Sequence, residues 1–242
     1  MLSILYYLFT LLQVTFWFIV SIVVLIVTYP FDKSRYWVHW CSRCICATLF
    51  GVPPRMRRTI EGLENVDKNK SYVMVINHNS GFDIFASYII PLNFRWVSKK
   101  EVFWVPFMGP LLYIHGDIPI NRGNAAAAMA KVIEDGKLWL SRGASVAIFP
   151  EGTRSKDGKL GEFKGGAMKI AMESRAKVVP VLIEGSRARL EETGNITKGT
   201  VYVTFLPPIV TEGLEKDDFF KMPAQIREMI QNERDKQTAE KQ

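Results

Sequence analysis

From Met1 to Phe31 the sequence carries no Asp, Glu, Lys or Arg and is dominated by Leu, Ile, Val, Phe, Tyr and Trp. As a helix its apolar part is about 40 Å long, against a hydrocarbon core of about 30 Å. A soluble domain of this size has little core in which to hide so uniformly apolar a helix, so contact with lipid is expected, either spanning with tilt or partly embedded. A secretory signal fits poorly, because no positive region precedes the apolar run and no small-residue cleavage site follows it. A second stretch, Tyr36 to Val52, is nearly as apolar but carries Trp37, His39, Trp40 and Arg43. Aromatic and basic residues together favour the membrane interface over its centre. Pro30 and the charges at Asp32, Lys33 and Arg35 break the first helix, so a helical hairpin is expected, with residues 1–52 as a membrane anchor.

Charge gives an orientation. Lys33, Arg35, Arg43, Arg55, Arg57 and Arg58 flank the apolar segments with little opposing acid. The positive-inside rule therefore places the following domain on the cytoplasmic side of the cell membrane. The net charge of +7 suits an anionic leaflet and anionic ligands. A nucleic-acid partner is not expected: no recognition-helix motif, zinc finger or basic run interleaved with aromatics is evident. The cysteines, Cys41, Cys44 and Cys46, fall within the second apolar stretch and lack a second pair to complete a zinc site. They read as small apolar residues of a membrane-facing helix, with no metal site and no disulfide framework.

Residues 53–242 read as one α/β domain: a mixed, mostly parallel sheet flanked by helices. Strands are expected near Arg58–Glu61, Tyr72–Ile76, Arg95–Ser98, Asp117–Ile120, Ala144–Phe149, Val178–Ile183 and Thr200–Leu206. Helices are expected after Ser80, over Asn124–Ser141 and Gly165–Ser174, and from Met222 onward. Trp104, Pro106, Phe107 and Met108 form an apolar patch. Core packing is its default reading, with an acyl-chain tunnel or membrane-dipping surface as the alternative.

Tyr72–Ile76 runs directly into Asn77-His78-Asn79-Ser80-Gly81-Phe82-Asp83. Five residues on one helix would set His78 and Asp83 about 140° apart, at roughly 3.6 residues per turn. A strand-end histidine and an aspartate in the first turn of the next helix can still meet. Asp83 would then hold one imidazole nitrogen while the other takes a proton. Ser80-x-x-Asp83 is also a capping box, with Ser80 as N-cap, which explains Asp83 without chemistry but leaves His78 unexplained.

The pattern of strand followed by polar loop recurs. Ala144–Phe149 ends in Pro150-Glu151-Gly152-Thr153-Arg154-Ser155, and Gly116–Asn121 ends at Arg122. In open α/β sheets such carboxyl ends converge on ligands. Gly152 lets the backbone approach closely, and arginine offers a planar fork of donors suited to phosphate. Two arginines beside a base point to an anionic substrate.

Asn77-His78-x-x-x-x-Asp83, Gly116 to Arg122, Phe149 to Ser155 and Val179-Pro180-Val181-Leu182-Ile183 resemble, in order, the four motifs of the glycerophospholipid acyltransferases. The bacterial-type 1-acyl-sn-glycerol-3-phosphate acyltransferases are the subgroup most similar to the chain. Pro119 and Asn121 stand where that family more often has a large apolar residue and an aspartate. The resemblance implies that His78 deprotonates the sn-2 hydroxyl of lysophosphatidic acid, that Asp83 orients it, and that the oxygen attacks an acyl thioester without a covalent enzyme intermediate. It also implies a phosphate and glycerol site at Arg122, Glu151, Gly152, Thr153 and Arg154, with Lys99 close to the phosphate. No cofactor is implied. The co-substrate is acyl-CoA or an acyl-acyl carrier protein, and the partners are membrane lipids. Glycerol-3-phosphate or another lysophospholipid is an alternative acceptor, and a non-catalytic lipid-binding module is the alternative of another class. A serine hydrolase is disfavoured by the lack of a Gly-x-Ser-x-Gly elbow.

Overall fold

Short runs of β-branched and apolar residues build the sheet, and most are buried on both faces, as strands covered by helices on either side must be. A computed structural model describes residues 2–51, 56–106, 108–121, 125–155, 157–190 and 198–240. The strands are β1 (Met56–Glu61), β2 (Val73–Ile76), β3 (Phe94–Lys99), β4 (Ile118–Ile120), β5 (Ser145–Ile148), β6 (Val178–Glu184) and β7 (Gly199–Phe205). They lie in the order β1-β7-β6-β2-β5-β3-β4. From β6 to β4 all neighbours are parallel; β7 runs antiparallel to β6 and pairs in parallel with β1. The expected mixed, mostly parallel sheet is thus present, and all of the expected strands occur within it.

The helices are α1 (Leu2–Thr28), α2 (Tyr36–Gly51), α3 (Asp83–Ser87), α4 (Met108–His115), α5 (Ala125–Ser141), α6 (Gly166–Ser174), α7 (Arg187–Leu190) and α8 (Lys216–Glu240). Alternation along β2 separates two cores. Val73 and Val75 pack with Val146, Leu182, Val132 of α5, Ile170 of α6, and Ile226 and Ile230 of α8. Met74 and Ile76 face the other way, with Phe94, Trp96, Val179, Val203, Ala86 of α3 and Cys46 of α2.

The two N-terminal helices pair as a hairpin, as expected. Thr48 Oγ1 donates to Gln13 Oε1 at 2.7 Å, and the Trp17 and Trp40 rings meet edge to face. Within α1, Leu8–Thr28 is long and apolar enough to cross a membrane, and Leu12, Phe16, Ile19, Val23 and Ile26 point away from the protein. The cysteines differ from their membrane-facing expectation: Cys41 and Cys46 are buried within the protein and Cys44 is half-buried. Burial pushes the Cys46 thiol up to about 12.

A buried polar cluster locks α2 to the domain. His39 Nδ1 lies 2.9 Å from His115 Nε2, and His115 Nδ1 lies 2.8 Å from Asp117 Oδ1. That same carboxylate oxygen accepts the Trp96 backbone N–H at 2.7 Å. Arg95, fully buried, donates to the carbonyls of Phe94, Ser34 and Arg35, and burial lowers its guanidinium to about 10. Arg35 donates in turn to the carbonyls of Tyr113 and Ile114 at 3.0 Å.

The apolar patch departs from the core-packing expectation. Phe103 takes the buried place, while Trp104, Pro106 and Met108 are exposed; Phe107 lies outside the described residues.

Candidate active site

β2 is too short to carry His78 within the sheet, so the chain leaves it through a loop that then becomes α3. Asn77 fixes the departure, since its side chain donates to the Ile183 carbonyl at 3.0 Å and accepts the Ile183 N–H at 2.7 Å. Both bonds are fully buried, which ties the start of the loop to the end of β6. His78 Nδ1 then lies 3.0 Å from Asp83 Oδ2. The imidazole, with its side chain 12% exposed, is the only part of the pair open to solvent, because Asp83 is wholly buried. Its ring stacks on Phe149 with centroids 3.9 Å apart and planes within 11°, and Phe149 stacks in turn on Trp96.

Asp83 is held from several sides. Oδ2 also accepts the backbone N–H groups of Asn79 at 2.7 Å and Ser80 at 2.8 Å. The Ser186 hydroxyl, equally buried, donates to Oδ1. Only half of the expected capping box forms. The Asp83 carboxylate accepts the Ser80 N–H as such a box requires, but Ser80 Oγ accepts from the Phe82 N–H, and the helix begins at Asp83. The carboxylate therefore serves the turn and the imidazole at once.

The β5 loop is stitched to this turn. Glu151 Oε1 accepts the His78 backbone N–H at 2.9 Å, and Oε2 accepts the Gly161 N–H at 3.1 Å. Ser155 N–H donates to the His78 carbonyl at 3.0 Å. Two bonds from one loop thus bracket His78, and between them the backbone turns through Gly152 at φ 69°. Thr153 and Arg154 stand exposed on this loop. Arg187, on α7, donates to the Ser155 carbonyl at 3.1 Å and braces the loop from the β6 side.

The expected site residues therefore divide. His78, Asp83, Glu151, Gly152, Thr153 and Arg154 gather at the carboxyl ends of β2 and β5, with Arg154 beside the residue bonded to His78. Glu151, expected at the substrate, is buried with its two oxygens on backbone N–H groups, a placement that braces the His78 loop. Lys99 is exposed at the end of β3, two strands from β2, which is about 10 Å at roughly 4.8 Å per strand. Arg122 lies outside the described residues. Sequence reasoning missed Ser186 and Asn77. For Ser186 a signal was present: Val178–Ile183 is followed by Glu184-Gly185-Ser186-Arg187, another apolar strand ending in a polar loop. Gly185 has φ 88°, and a Cβ there would stand 2.5 Å from the Thr200 carbonyl oxygen, so glycine is needed to aim Ser186 inward. Among the described residues no three His, Cys, Asp or Glu side chains group as a metal site.

A histidine held by a buried carboxylate at the carboxyl edge of a mostly parallel sheet, with a basic loop bonded to its backbone, is suited to moving a proton beside an anion. The chain belongs to the acyltransferase family, whose profile matches residues 57–184, just over half its length. It is 35% identical over 179 residues to the 1-acyl-sn-glycerol-3-phosphate acyltransferase of Limnanthes douglasii, covering 72% of this chain and 62% of that protein. It is 29% identical over 200 residues to the enzyme of that name from Escherichia coli (strain K12), covering 81% of this chain and 80% of that one. The chain thus spans about three-fifths of the length of its plant relatives and more of its bacterial one. In fold it resembles the crystal structure of the 1-acyl-sn-glycerophosphate acyltransferase PlsC from Thermotoga maritima, with a TM-score of 0.70 and 21% identity over 97% of this chain and 98% of that one.

Proposed function

We propose that the protein transfers an acyl group from a thioester to the sn-2 hydroxyl of 1-acyl-glycerol-3-phosphate, giving phosphatidic acid. The observation that carries this reading is the 3.0 Å contact between His78 Nδ1 and Asp83 Oδ2. With Nδ1 so engaged, Nε2 is the nitrogen left to accept the hydroxyl proton. The oxygen attacks the thioester carbonyl, the tetrahedral intermediate expels the thiolate, and the imidazolium returns its proton to that sulfur. The buried Asp83 carboxylate stabilises the imidazolium, as does the Phe149 ring face against it. General-base assistance of this kind is worth roughly 10²–10⁴-fold, and positioning supplies much of the rest. Arg154 supplies a charged fork for the acceptor phosphate, with Thr153 and Gly152 on the same loop, and Arg122 and Lys99 assist in binding it. The thioester is carried by coenzyme A or acyl carrier protein, and no cofactor takes part.

The anchor holds the domain in one leaflet of the membrane. α2 is packed on the domain and runs beside α1 from Gln13 onward. α2 continues three residues past Thr48, so roughly Leu2–Phe9 of α1 projects beyond this pairing, about 12 Å at roughly 1.5 Å per residue, which is short of a hydrocarbon core of about 30 Å. The basic residues near the hairpin favour the cytoplasmic side, although Arg35 and Arg43 are also engaged by carbonyls of the domain.

An assay of the full chain in lipid nanodiscs, crossing lysophosphatidic acid, glycerol-3-phosphate and lysophosphatidylcholine with acyl-CoA and acyl-acyl carrier protein, tests the reading. Phosphatidic acid formed from lysophosphatidic acid, and lost in His78→Ala, is expected. Transfer only to another acceptor, or undiminished activity in His78→Ala, would overturn it.

A further inference from the structure

The turn after β3 presents large apolar side chains to solvent, and its geometry is fixed. Lys100–Trp104 forms a 3-10 turn that packs on α4: Gly109 N–H donates to the Val105 carbonyl at 2.8 Å, and a Cβ on Gly109 would fall 2.0 Å from the Phe103 carbonyl oxygen. Phe103 is buried, with its ring 4.9 Å from that of Tyr113. Burying Phe103 turns its neighbour outward, so Trp104 is 75% exposed; Val105, Met108 and Tyr113, at 43%, 39% and 56%, extend the same surface. A rigid turn showing this much tryptophan and aliphatic surface to water is a mark of an interaction site.

What covers the surface follows from its neighbours. α4 packs against both α1 and α2, so the patch adjoins the apolar hairpin, whose exposed aromatics include Tyr29, Phe31, Tyr36 and Trp37. Lys99 and Lys100, both exposed, immediately precede the patch. Aromatic side chains flanked by lysines and continuous with a lipid-facing helix match the composition of a membrane interface, where amphipathic rings sit at headgroup level and ammonium groups meet anionic lipid. The lock formed by Arg95, Arg35, His39 and His115 fixes the hairpin against α4, so the two surfaces cannot adjust independently.

We propose that the Lys100–Trp104 turn and the start of α4 form a second membrane-contact surface, inserting into the leaflet that holds α1. This extends the single-leaflet anchor proposed above and rests on it. The turn follows β3 directly, so its insertion brings the carboxyl edge of the sheet, where His78 lies, down to the lipid headgroups. A lysolipid then reaches the base without leaving the leaflet.

The test uses the full chain, one copy per nanodisc of phosphatidylethanolamine and phosphatidylglycerol. An environment-sensitive fluorophore is attached at Trp104→Cys, Met108→Cys, Ile19→Cys or Lys131→Cys. Ile19 is on the outer face of α1 and Lys131 is exposed on α5, beyond the opposite face of the sheet. The unsubstituted chain, with Cys41 and Cys46 buried, sets the labelling background. Spin-labelled lipid is expected to quench the probes at 104 and 108 with a loss of emission comparable to that at 19, and to leave the probe at 131 bright. Quenching at 19 with probes at 104 and 108 as bright as that at 131 would overturn the second contact while leaving the anchor intact. No quenching at 19 would remove the single-leaflet reading and this proposal with it. A blue shift at 104 that rises with protein concentration in detergent, without quenching in nanodiscs, would assign the patch to a second copy of the chain and likewise overturn the proposal.

Discussion

Glu151 touches His78 only through its backbone: Oε1 accepts the His78 N–H at 2.9 Å while the imidazole points to Asp83. The carboxylate is buried and its other oxygen holds the Gly161 N–H, so it joins the loop after β2 to the loop after β5. Glu151 thus holds the backbone that carries His78.

Glu151→Gln keeps the volume but replaces one acceptor oxygen with an NH₂ group. One of the two backbone N–H groups then faces a donor, at a cost of about 1–3 kcal/mol. Since the carboxylate ties the His78 loop to the loop after β5, kcat is expected to fall about tenfold or more with the acceptor KM little changed. Steady-state kinetics with thermal unfolding as a control decides the point: a rise in KM alone would place Glu151 on the substrate instead.

Ser186 supplies the one side-chain hydroxyl on Asp83 Oδ1 among the described residues. Ser186→Ala leaves that oxygen without its donor in a buried setting, and a hydrogen bond to a charged group is worth about 1.5–3 kcal/mol. kcat is expected to drop about tenfold or more, and the pH–rate profile to move, whereas Ser186→Thr, which keeps a hydroxyl, restores both. A profile identical to the parent in Ser186→Ala would show that Asp83 is held well enough by Asn79 and Ser80.

The sheet was legible in the sequence because buried parallel strands are short continuous apolar runs between polar loops, and each such run became a strand. The loops of the candidate site were legible for the same reason: polar residues that follow such runs gather at the carboxyl edge of the sheet. What sequence did not reveal depended on contacts distant along the chain. Ser186 is 103 positions from Asp83, and His39 is 76 from His115, separations at which no local period operates. His39 and His115 are two of the chain's three histidines, and they share one buried cluster. α8 begins at Lys216 and not near Met222, because Pro223 is tolerated inside it and concealed the true start. α4 was hidden by its length and by Pro110, which sits within its first turn, where a missing N–H costs nothing.

Arg154 sits next to Ser155, whose N–H is bonded to the His78 carbonyl, so its guanidinium is carried on the loop that frames His78. If it binds the acceptor phosphate, Arg154→Ala is expected to raise the KM for lysophosphatidic acid about 10- to 100-fold, in line with the loss of a charge-assisted pair. Arg154→Lys keeps the charge without the fork and should fall between. The check is a parallel assay with a monoacylglycerol lacking phosphate, whose poor transfer should not worsen in either variant; equal losses on both acceptors would mean that Arg154 shapes the loop and does not read the phosphate.

The remaining histidines predict how stability depends on pH. Burial lowers both His39 and His115 below the ordinary histidine value, against the opposing pull of Asp117 on His115 and with Arg95 and, for His39, Arg43 adding to the depression. Both are therefore neutral in the folded protein at pH values where the unfolded chain, titrating near 6.5, already binds protons. A group depressed by folding contributes stability that is complete above its unfolded value and is lost as pH falls below it. The unfolding temperature in nanodiscs should hold steady from pH 8 to about 6.5 and then decline toward pH 5. His39→Phe, which keeps a ring against Phe94 and Tyr88, should flatten that decline. The same slope in His39→Phe and in His115→Gln as in the parent would mean that the acid sensitivity arises elsewhere, and that the lock between α2 and the domain tolerates protonation.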